Sequence, residues 1–188
     1  MNKKTKVLVI VDPQVDFITG SLANEAADKK VPNIVNKIKS FDGEYIFVTR
    51  DTHDEDYLKS KEGKELPIEH CIFKTDGWFI DKRIAEALQS HELLETGIMV
   101  HYINKPTFGS TELMEKLRNI SGEIDVEIVG FVSSICVITN ALLLKTALYD
   151  RANISVDANC IAGLNDSNNE AAIEVMKSCQ IKIINEEN

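Results

Sequence analysis

Three residues with reactive side chains each follow an apolar run of this chain. Asp12 ends the run 7–11, and Lys105 follows the run 98–103. Cys136 stands where a buried strand is expected to turn into a buried helix. The carboxyl ends of parallel strands share one edge of an open α/β sheet, and ligands bind at that edge, so an acid, a base and a thiol would meet in one crevice. This arrangement predicts a nucleophilic active site.

The thiol is the candidate nucleophile, and it attacks as the thiolate, which forms in a free cysteine with a pKa of about 8.5. We expect two features to lower the pKa of Cys136: the positive end of the helix that begins near it and the ammonium group of Lys105. Asp12 would accept the thiol proton and later deliver it to a leaving group. Backbone N–H groups of the turn 132–136 would stabilise an oxyanion.

Each of these residues also has a non-catalytic interpretation. Cysteine is among the most buried residue types and often behaves as a small hydrophobic side chain. Asp12 could cap a turn before Pro13, and Lys105 could be an ordinary solvated surface charge. The placement of all three at strand ends is what favours catalysis over the separate alternatives.

A second group of polar residues offers a metal site. Asp51 and His53 form a D-x-H pair soon after the run 45–49, and His70 lies further along the chain. In an extended segment, residues two apart lie on the same side, and a carboxylate with imidazoles suits Zn²⁺, Fe²⁺ or Mn²⁺. The alternative is that these residues are ordinary surface or hydrogen-bonded side chains.

These candidates require a sheet that brings the strand ends together, and the chain alternates β-rich and helical stretches throughout. Several β-rich runs are continuously apolar, as strands covered on both faces are, which predicts a mainly parallel sheet. The predicted strands are 6–12, 44–49, 97–103, 125–130, 153–157 and 180–184, and the predicted helices are 31–40, 80–89, 110–119, 134–150 and 167–178. This order predicts an α/β fold, a three-layer doubly wound sandwich with a six-stranded sheet and right-handed crossovers. The charged segment 51–78 interrupts the alternation and is interpreted as a functional loop.

The bulk composition limits the class of protein. At 188 residues the chain is expected to form a single domain over 1–188, and its 44% hydrophobic and 27% charged residues are typical of a globular protein. A net charge of −9 argues against a nucleic-acid partner, since phosphate binding needs clustered Lys and Arg. No apolar run reaches the roughly 20 residues of a membrane span, which argues against a membrane partner. The first apolar run is too short for a signal-peptide core and ends in Asp12, so we expect a cytoplasmic location. The four widely spaced cysteines form no C-x-x-C pair and are expected to be free thiols in that reducing compartment.

Several motifs in this chain resemble those of the isochorismatase-like cysteine hydrolases. Residues 12–17, with the sequence DPQVDF, match the family's D-x-Q-x-D-F signature, and residues 105–110 are similar to its lysine segment. Residues 130–137 resemble its nucleophile turn, and the resemblance extends to residues 157–163 near the end of the chain. The resemblance therefore covers essentially the whole sequence, and it implies an isochorismatase-like fold.

The resemblance implies a catalytic triad of Asp12, Lys105 and Cys136. In this family the cysteine forms a thioester with the acyl part of an amide, ammonia leaves, and water then hydrolyses the thioester. The family also has a cis peptide bond shortly before the nucleophile, which corresponds to Phe131–Val132 here. The N–H groups of Val132 and Cys136 would then form the oxyanion hole.

The loop after the second predicted strand resembles the metal-binding stretch of the nicotinamidases within this family. That resemblance implies that Asp51, His53 and His70 bind a divalent metal ion, with Zn²⁺ as the first choice and Fe²⁺ or Mn²⁺ as alternatives. The candidates for a fourth ligand are acidic residues of the same loop, in order of preference Glu62, Glu65 and Asp56. In nicotinamidases the metal binds the pyridine nitrogen and holds the carboxamide against the thiol, so the ion orients the substrate.

Phe17 and Trp78 are expected to line an aromatic-sized pocket, Phe17 by motif match, although both could instead be core residues. Relatives often have an aromatic residue where this chain has Leu66, and Thr-Asp where it has Ser133-Ser134. The first difference argues against strict selectivity for nicotinamide. The second removes a carboxylate from the network around the triad.

The predicted function is that of a nicotinamidase, which converts nicotinamide into nicotinate and ammonia. Its partner would be a small-molecule amide, and the family resemblance implies a homo-oligomer. One alternative is a cysteine hydrolase of the same family that acts on another small amide or carbamoyl compound. The complete triad and the metal site disfavour both vinyl-ether cleavage, the reaction of isochorismatase itself, and a catalytically silent binding subunit. A signalling receiver domain is also small, acidic and doubly wound, but it needs paired acids after the first strand, where this chain has Asp12-Pro13.

Overall fold

Six parallel strands form one sheet with the order β3-β2-β1-β4-β5-β6 in this computed structural model, which describes residues 4–186. The strands are β1 Thr5–Val11, β2 Tyr45–Asp51, β3 Met99–Lys105, β4 Ile124–Phe131, β5 Ala152–Ala162 and β6 Lys182–Ile184. All neighbouring pairs run parallel, so the predicted α/β fold with a six-stranded parallel sheet is confirmed.

The described part of the chain contains seven α-helices, and the five longer ones cover the two faces of the sheet. The seven helices are α1 Val15–Ile18, α2 Glu25–Ser40, α3 Lys61–Glu65, α4 Lys82–Leu93, α5 Thr111–Arg118, α6 Ile138–Leu148 and α7 Asp166–Ser178. The apolar side chains of α2 and α4 pack on one face, and those of α5, α6 and α7 pack on the other. The three predicted layers are therefore present. Between residues 4 and 186, no helix is both long and apolar enough to cross a bilayer.

The central strands are buried on both faces, which explains their continuous apolar runs. In β1, Val9 pairs with Phe47 on one side and Ile128 on the other. The end of β4 approaches β1 unusually closely at Gly130, where φ is +116° and an added Cβ would lie 2.1 Å from the Val11 carbonyl oxygen. Only glycine fits this backbone approach, and it lets β4 continue into the turn that carries Cys136.

Two predicted helices have different limits in the structure. The helix predicted over 31–40 begins at Glu25, where the Asn24 side chain accepts hydrogen bonds from two backbone N–H groups and caps it. Pro32 lies inside this helix. Because a proline and few regularly spaced apolar residues precede position 34, the sequence pattern does not indicate the first turns of the helix. The helix predicted over 134–150 is instead a π-helical turn, Ser133–Val137, followed by α6.

The segment 51–78 has more regular structure than a loop. It contains α3 and two short 3₁₀ turns, Tyr57–Lys59 and Asp76–Trp78, and a β-bridge joins His53 to Ile72. These elements are too short for hydrophobic periodicity to reveal them. Strand β5 also runs beyond the predicted 153–157, because Ile161 and Ala162 still pair with the end of β4 after an irregularity in register.

Candidate active site

Four polar residues meet at the carboxyl edge of the sheet. Asp51 and Lys105 end β2 and β3 and face each other in the register, whereas Asp12 follows β1 directly. Cys136 lies in the π-helical turn after β4. All four are at most 5% exposed, so their charges interact in a poorly solvated environment.

Lys105 is the centre of the predicted triad. Its Nζ lies 2.6 Å from Oδ2 of Asp12 and 3.6 Å from Sγ of Cys136. The same ammonium lies 3.4 Å from Oδ1 of Asp51 and donates a 3.0 Å hydrogen bond to the Thr107 carbonyl oxygen. The structure thus brings the acid, the lysine and the thiol together, as the strand-end argument predicts.

Asp12 is held by its backbone as well as by Lys105. It has a φ of +46°, a left-handed conformation that aspartate tolerates better than most residues. The Thr49 hydroxyl donates a 2.7 Å hydrogen bond to Oδ1 of Asp12, and the Asp12 N–H lies 3.2 Å from the same hydroxyl oxygen. Thr49 was not recognised from the sequence, since an isolated threonine in an apolar strand carries no motif.

The expected lowering of the Cys136 pKa is wrong. Burial and the neighbouring Asp12 carboxylate raise the pKa of the thiol well above its usual value, although the Lys105 charge acts in the opposite direction. Burial also disfavours the Lys105 charge, but Asp12 and the other anionic groups outweigh it and raise the lysine pKa. The resting thiol is therefore protonated and needs a base for activation, because desolvation exceeds the attraction that the sequence argument considered.

The turn before the nucleophile has the expected backbone feature. The peptide bond Phe131–Val132 is cis, which confirms the prediction for this position. The Val132 carbonyl oxygen accepts 3.1 Å hydrogen bonds from the N–H groups of Ile135 and Val137, which closes the turn. Val132 and Cys136 both line the same cavity, so an oxyanion hole formed by their N–H groups stays a prediction that this placement supports.

Asn140 connects the nucleophile turn to the segment after Lys105. Its Nδ2 donates to the carbonyl oxygens of Cys136 at 2.8 Å and Phe108 at 3.1 Å. Its Oδ1 accepts a 3.0 Å hydrogen bond from the Ser110 N–H. Asn140 is fully buried in the structure, and its signal in the sequence is an amide side chain among the mostly apolar residues of α6.

A second cluster lies next to the triad and consists of Asp51, His53, Glu62 and His70. It is called the metal cluster below, because all four side chains are of metal-ligating types. One potential ligand atom from each residue lies within 4.8 Å of all the others. Oδ2 of Asp51 is 3.0 Å from Nε2 of His53 and 3.4 Å from Nε2 of His70, and Glu62 Oε1 is 3.8 Å from Nε2 of His53. Of the three acidic candidates for a fourth ligand, the structure brings Glu62 into the cluster.

The chemistry of this cluster fits a divalent metal ion. Burial raises the pKa of Asp51, but hydrogen bonds from His53 and His70 and the Lys105 charge hold it well below its usual value, so the carboxylate is ionised. Nδ1 of His70 lies 2.8 Å from the Ile68 carbonyl oxygen, and this contact orients the ring so that Nε2 faces the cluster. Two imidazoles and two carboxylates suit Zn²⁺, Fe²⁺ or Mn²⁺.

Gln14 anchors the metal cluster to β1. Its Oε1 accepts a 2.7 Å hydrogen bond from the Asp51 N–H, and its Nε2 donates to the carbonyl oxygens of Asp51 at 2.8 Å and Trp78 at 2.9 Å. Asp16 acts similarly, because Oδ2 accepts a 2.7 Å hydrogen bond from the N–H of Cys71, the residue after His70. Both belong to the D-x-Q-x-D-F motif, which the sequence argument used for recognition without assigning them a role.

Tyr57 packs against both histidines of the metal cluster. Its ring centroid is 4.5 Å from that of His53 and 4.9 Å from that of His70. Its hydroxyl group donates a 3.1 Å hydrogen bond to the Leu66 carbonyl oxygen. Tyr57 is 2% exposed and connects the two histidines to the backbone at Leu66. No sequence pattern indicates this role.

A cavity of about 680 Å³ connects the triad to the metal cluster. Phe17 lines it as predicted, whereas Trp78 is not among its lining residues. Trp78 is instead buried beneath the guanidinium of Arg50, 4.3 Å from the ring centroid, and donates a 2.9 Å hydrogen bond to the Thr52 hydroxyl oxygen. The remaining lining residues are Gly20, Ser21, Leu22, Ala23, Asn24, Asp51, Glu62, Glu65, Leu66, His70, Phe108, Val132, Ile135, Cys136 and Leu164.

Comparison with known proteins gives a consistent result. Residues 6–188 match the family model described as the isochorismatase domain. The chain is similar to the pyrazinamidase/nicotinamidase of Streptococcus mutans, with 26% identity, coverage of 96% of this chain and 100% of that chain, and a TM-score of 0.77. It is also similar to the pyrazinamidase of Pyrococcus horikoshii in complex with zinc, with 26% identity, 95% and 98% coverage, and a TM-score of 0.72. PnC1 of L. infantum, solved with nicotinate, shares the fold at 20% identity, with 96% and 92% coverage and a TM-score of 0.74. No curated protein sequence matches the chain significantly.

Proposed function

The chain belongs to the isochorismatase family, and from that premise we propose that it is a cysteine-dependent amidohydrolase that converts nicotinamide and water into nicotinate and ammonia. This proposal depends on the position of Lys105 between the Cys136 thiol and the metal cluster. Its Nζ lies 3.6 Å from the nucleophilic sulfur and 3.4 Å from the Asp51 carboxylate of the metal cluster. A small ring held by one cluster would therefore present its carboxamide to the other.

The first half of the reaction uses the triad to form a thioester. Asp12 accepts the Cys136 proton as the sulfur bonds to the carboxamide carbon, and the ammonium of Lys105 stabilises the developing thiolate. The N–H groups of Val132 and Cys136 stabilise the negative oxygen. Asp12 then gives its proton to the departing nitrogen, the carbon–nitrogen bond breaks, and ammonia leaves.

The second half returns the enzyme to its starting state. A water molecule attacks the thioester carbon, and Asp12 accepts a proton from it. The carbon–sulfur bond breaks, the carboxylic acid is formed, and the Cys136 thiolate recovers its proton from Asp12. The raised thiol pKa suits this cycle, because proton transfer then accompanies attack and no free thiolate accumulates in the resting enzyme.

Asp51, His53, Glu62 and His70 would hold the metal ion, for which we propose Zn²⁺, with Fe²⁺ or Mn²⁺ compatible with the same donors. When bound, the ion would supply Lewis acidity toward a pyridine nitrogen, and this interaction would orient the substrate ring. Phe17 lines the cavity next to this cluster, with its ring centroid 5.8 Å from that of His70. It is therefore placed to pack against a planar substrate.

The direct test is ammonia release from nicotinamide by the purified chain, with and without a strong chelator. We expect turnover that Cys136→Ala and Cys136→Ser both abolish and that the chelator reduces. Release from other small amides but not from nicotinamide would favour the family member with a different amide or carbamoyl substrate. Full activity of Cys136→Ala would exclude the thiol mechanism altogether.

Three further expectations accompany this function. We expect a single domain over residues 1–188, assembly as a homo-oligomer and a cytoplasmic location. The four cysteines are free thiols, which a reducing compartment preserves. Size-exclusion chromatography with light scattering tests the oligomeric state.

A further inference from the structure

The cavity above Cys136 is larger than a single-ring amide requires. Its volume of about 680 Å³ lies well inside the range of about 300–1,000 Å³ that accommodates drug-sized ligands. Of the sixteen residues that line it, four belong to the triad or the metal cluster: Asp51, Glu62, His70 and Cys136. A ring bound between these two clusters would therefore leave much of the cavity unfilled.

The unfilled part has an apolar mouth. It is formed by Leu22, Leu66, Phe108 and Leu164, which come from four separate segments of the chain. Leu66 is 36% exposed, Phe108 43% and Leu164 62%. One exposed apolar side chain is ordinary, but several that converge on the entrance of a cavity indicate a surface that a ligand covers.

The charge of the cavity excludes one kind of ligand. Among the described residues that line it, none is Lys or Arg, whereas Asp51, Glu62 and Glu65 are acidic. The nearby ammonium of Lys105 is already paired with Asp12 at 2.6 Å. A bound divalent ion would balance Asp51 and Glu62, so a negatively charged substituent in the outer part of the cavity would meet Glu65 and apolar side chains without a further cation.

We propose that the mouth formed by Leu22, Leu66, Phe108 and Leu164 selects uncharged aromatic amides that carry an apolar substituent on the ring. This inference rests on the amidohydrolase function proposed above and concerns the substrate class of the same site. The substituent projects from a ring carbon away from the metal-binding nitrogen and covers the exposed leucine and phenylalanine side chains. A buried methylene is worth about fourfold in affinity, so a partly buried propyl group favours the extended amide by about tenfold.

The test compares kcat/KM for ammonia release by the full-length chain supplied with Zn²⁺. The substrates are nicotinamide, 5-propylnicotinamide and the monoamide of pyridine-3,5-dicarboxylic acid, which adds a carboxylate at the same ring position. We expect the propyl compound to exceed nicotinamide about tenfold and the carboxylated compound to fall at least tenfold below it. In Leu164→Ser, the ratio of propyl compound to nicotinamide drops several-fold. The matched control is Leu93→Ser, which changes an 81% exposed leucine of α4 outside the cavity lining and leaves the ratio unchanged.

The possible results distinguish a failure of this substrate inference from a failure of the proposed nicotinamidase function. If nicotinamide is hydrolysed but the propyl compound is equal or worse, the apolar mouth has no role in selection and only this inference is overturned. A ratio that Leu164→Ser leaves at the wild-type value overturns it as well. If none of the three amides releases ammonia, the nicotinamidase function itself fails, and the substrate inference fails with it.

Discussion

We expect Gln14 to raise the metal affinity of the cluster although it is not one of the metal ligands. In Gln14→Ala, the Asp51 N–H loses its 2.7 Å acceptor, and the carbonyl oxygens of Asp51 and Trp78 lose donors at 2.8 Å and 2.9 Å. Gln14 is fully buried, so three backbone groups are left without their partner. At about 1 kcal/mol for each hydrogen bond, the free energy of unfolding should fall by about 3 kcal/mol.

The same substitution should weaken metal binding. Two of these hydrogen bonds fix the backbone at Asp51, whose carboxylate belongs to the metal cluster. Loss of a group that holds a metal ligand in position typically costs about 10–100-fold in metal affinity. We therefore expect the affinity for Zn²⁺ to fall by about that factor, with a parallel loss of activity at limiting metal concentration.

The assays are urea unfolding of the metal-free protein and Zn²⁺ titration in competition with a chromophoric chelator. Gln14→Glu keeps the size and the acceptor but loses the two N–H donors, so it should be impaired as well. Gln89→Ala removes an exposed glutamine of α4 and should change the unfolding free energy by less than about 0.5 kcal/mol. Wild-type metal affinity in Gln14→Ala would contradict this role of Gln14, because Asp51 would then keep its position without the amide.

Three other predictions follow from the same structure. Lys105→Met should lower kcat/KM about 1,000-fold. Lys105→Arg should not restore activity, because the larger guanidinium does not fit this fully buried site. Steady-state kinetics on the folded variants tests both expectations. Gly130→Ala should lower the free energy of unfolding by about 3 kcal/mol or more, because the added Cβ would lie 2.1 Å from a backbone oxygen. In the control Gly97→Ala the added Cβ has no neighbouring atom within 4 Å, so the loss should be only about 1 kcal/mol. Urea unfolding of both variants measures the difference. Burial raises the pKa of Asp81, but hydrogen bonds from Arg83 hold it below its usual value. This carboxylate therefore stabilises the fold above its unfolded pKa, and the stability difference between wild type and Asp81→Asn should shrink as the pH falls through the acidic range.

The sheet and the triad could be predicted because both depend on short-range signals. Strands buried on both faces produce continuous apolar runs, and the residues that follow such runs must lie at the carboxyl edge. Asp12, Lys105 and Cys136 were placed correctly by this rule alone. The D-x-H pair located Asp51 and His53 by the same logic, since both follow the end of β2.

The remaining features depend on contacts between distant segments. Gln14 and Asp51 are far apart in the chain, as are Asn140 and Ser110, and no local pattern indicates that their side chains and backbones meet. The raised pKa of Cys136 depends on how completely the surrounding elements exclude water, which is known only once they are packed. Trp78 was expected to line the pocket as an aromatic side chain, but its ring packs under Arg50 instead.

The positions of the reactive groups are set by strand register more than by the loops. Across the sheet order β3-β2-β1-β4, the edge presents Lys105, Asp51, Asp12 and then the turn with Cys136, one contribution from each neighbouring strand. A shift of one residue in any strand would move its side chains to the opposite face. The buried apolar pairs between β1, β2 and β3 therefore also fix the 2.6 Å contact between Lys105 and Asp12, and those between β1 and β4 fix where the Cys136 turn begins relative to Asp12. Substitutions that loosen the pairing of β1 with β4, as Gly130→Ala should, are consequently expected to reduce activity along with stability, although they touch no substrate.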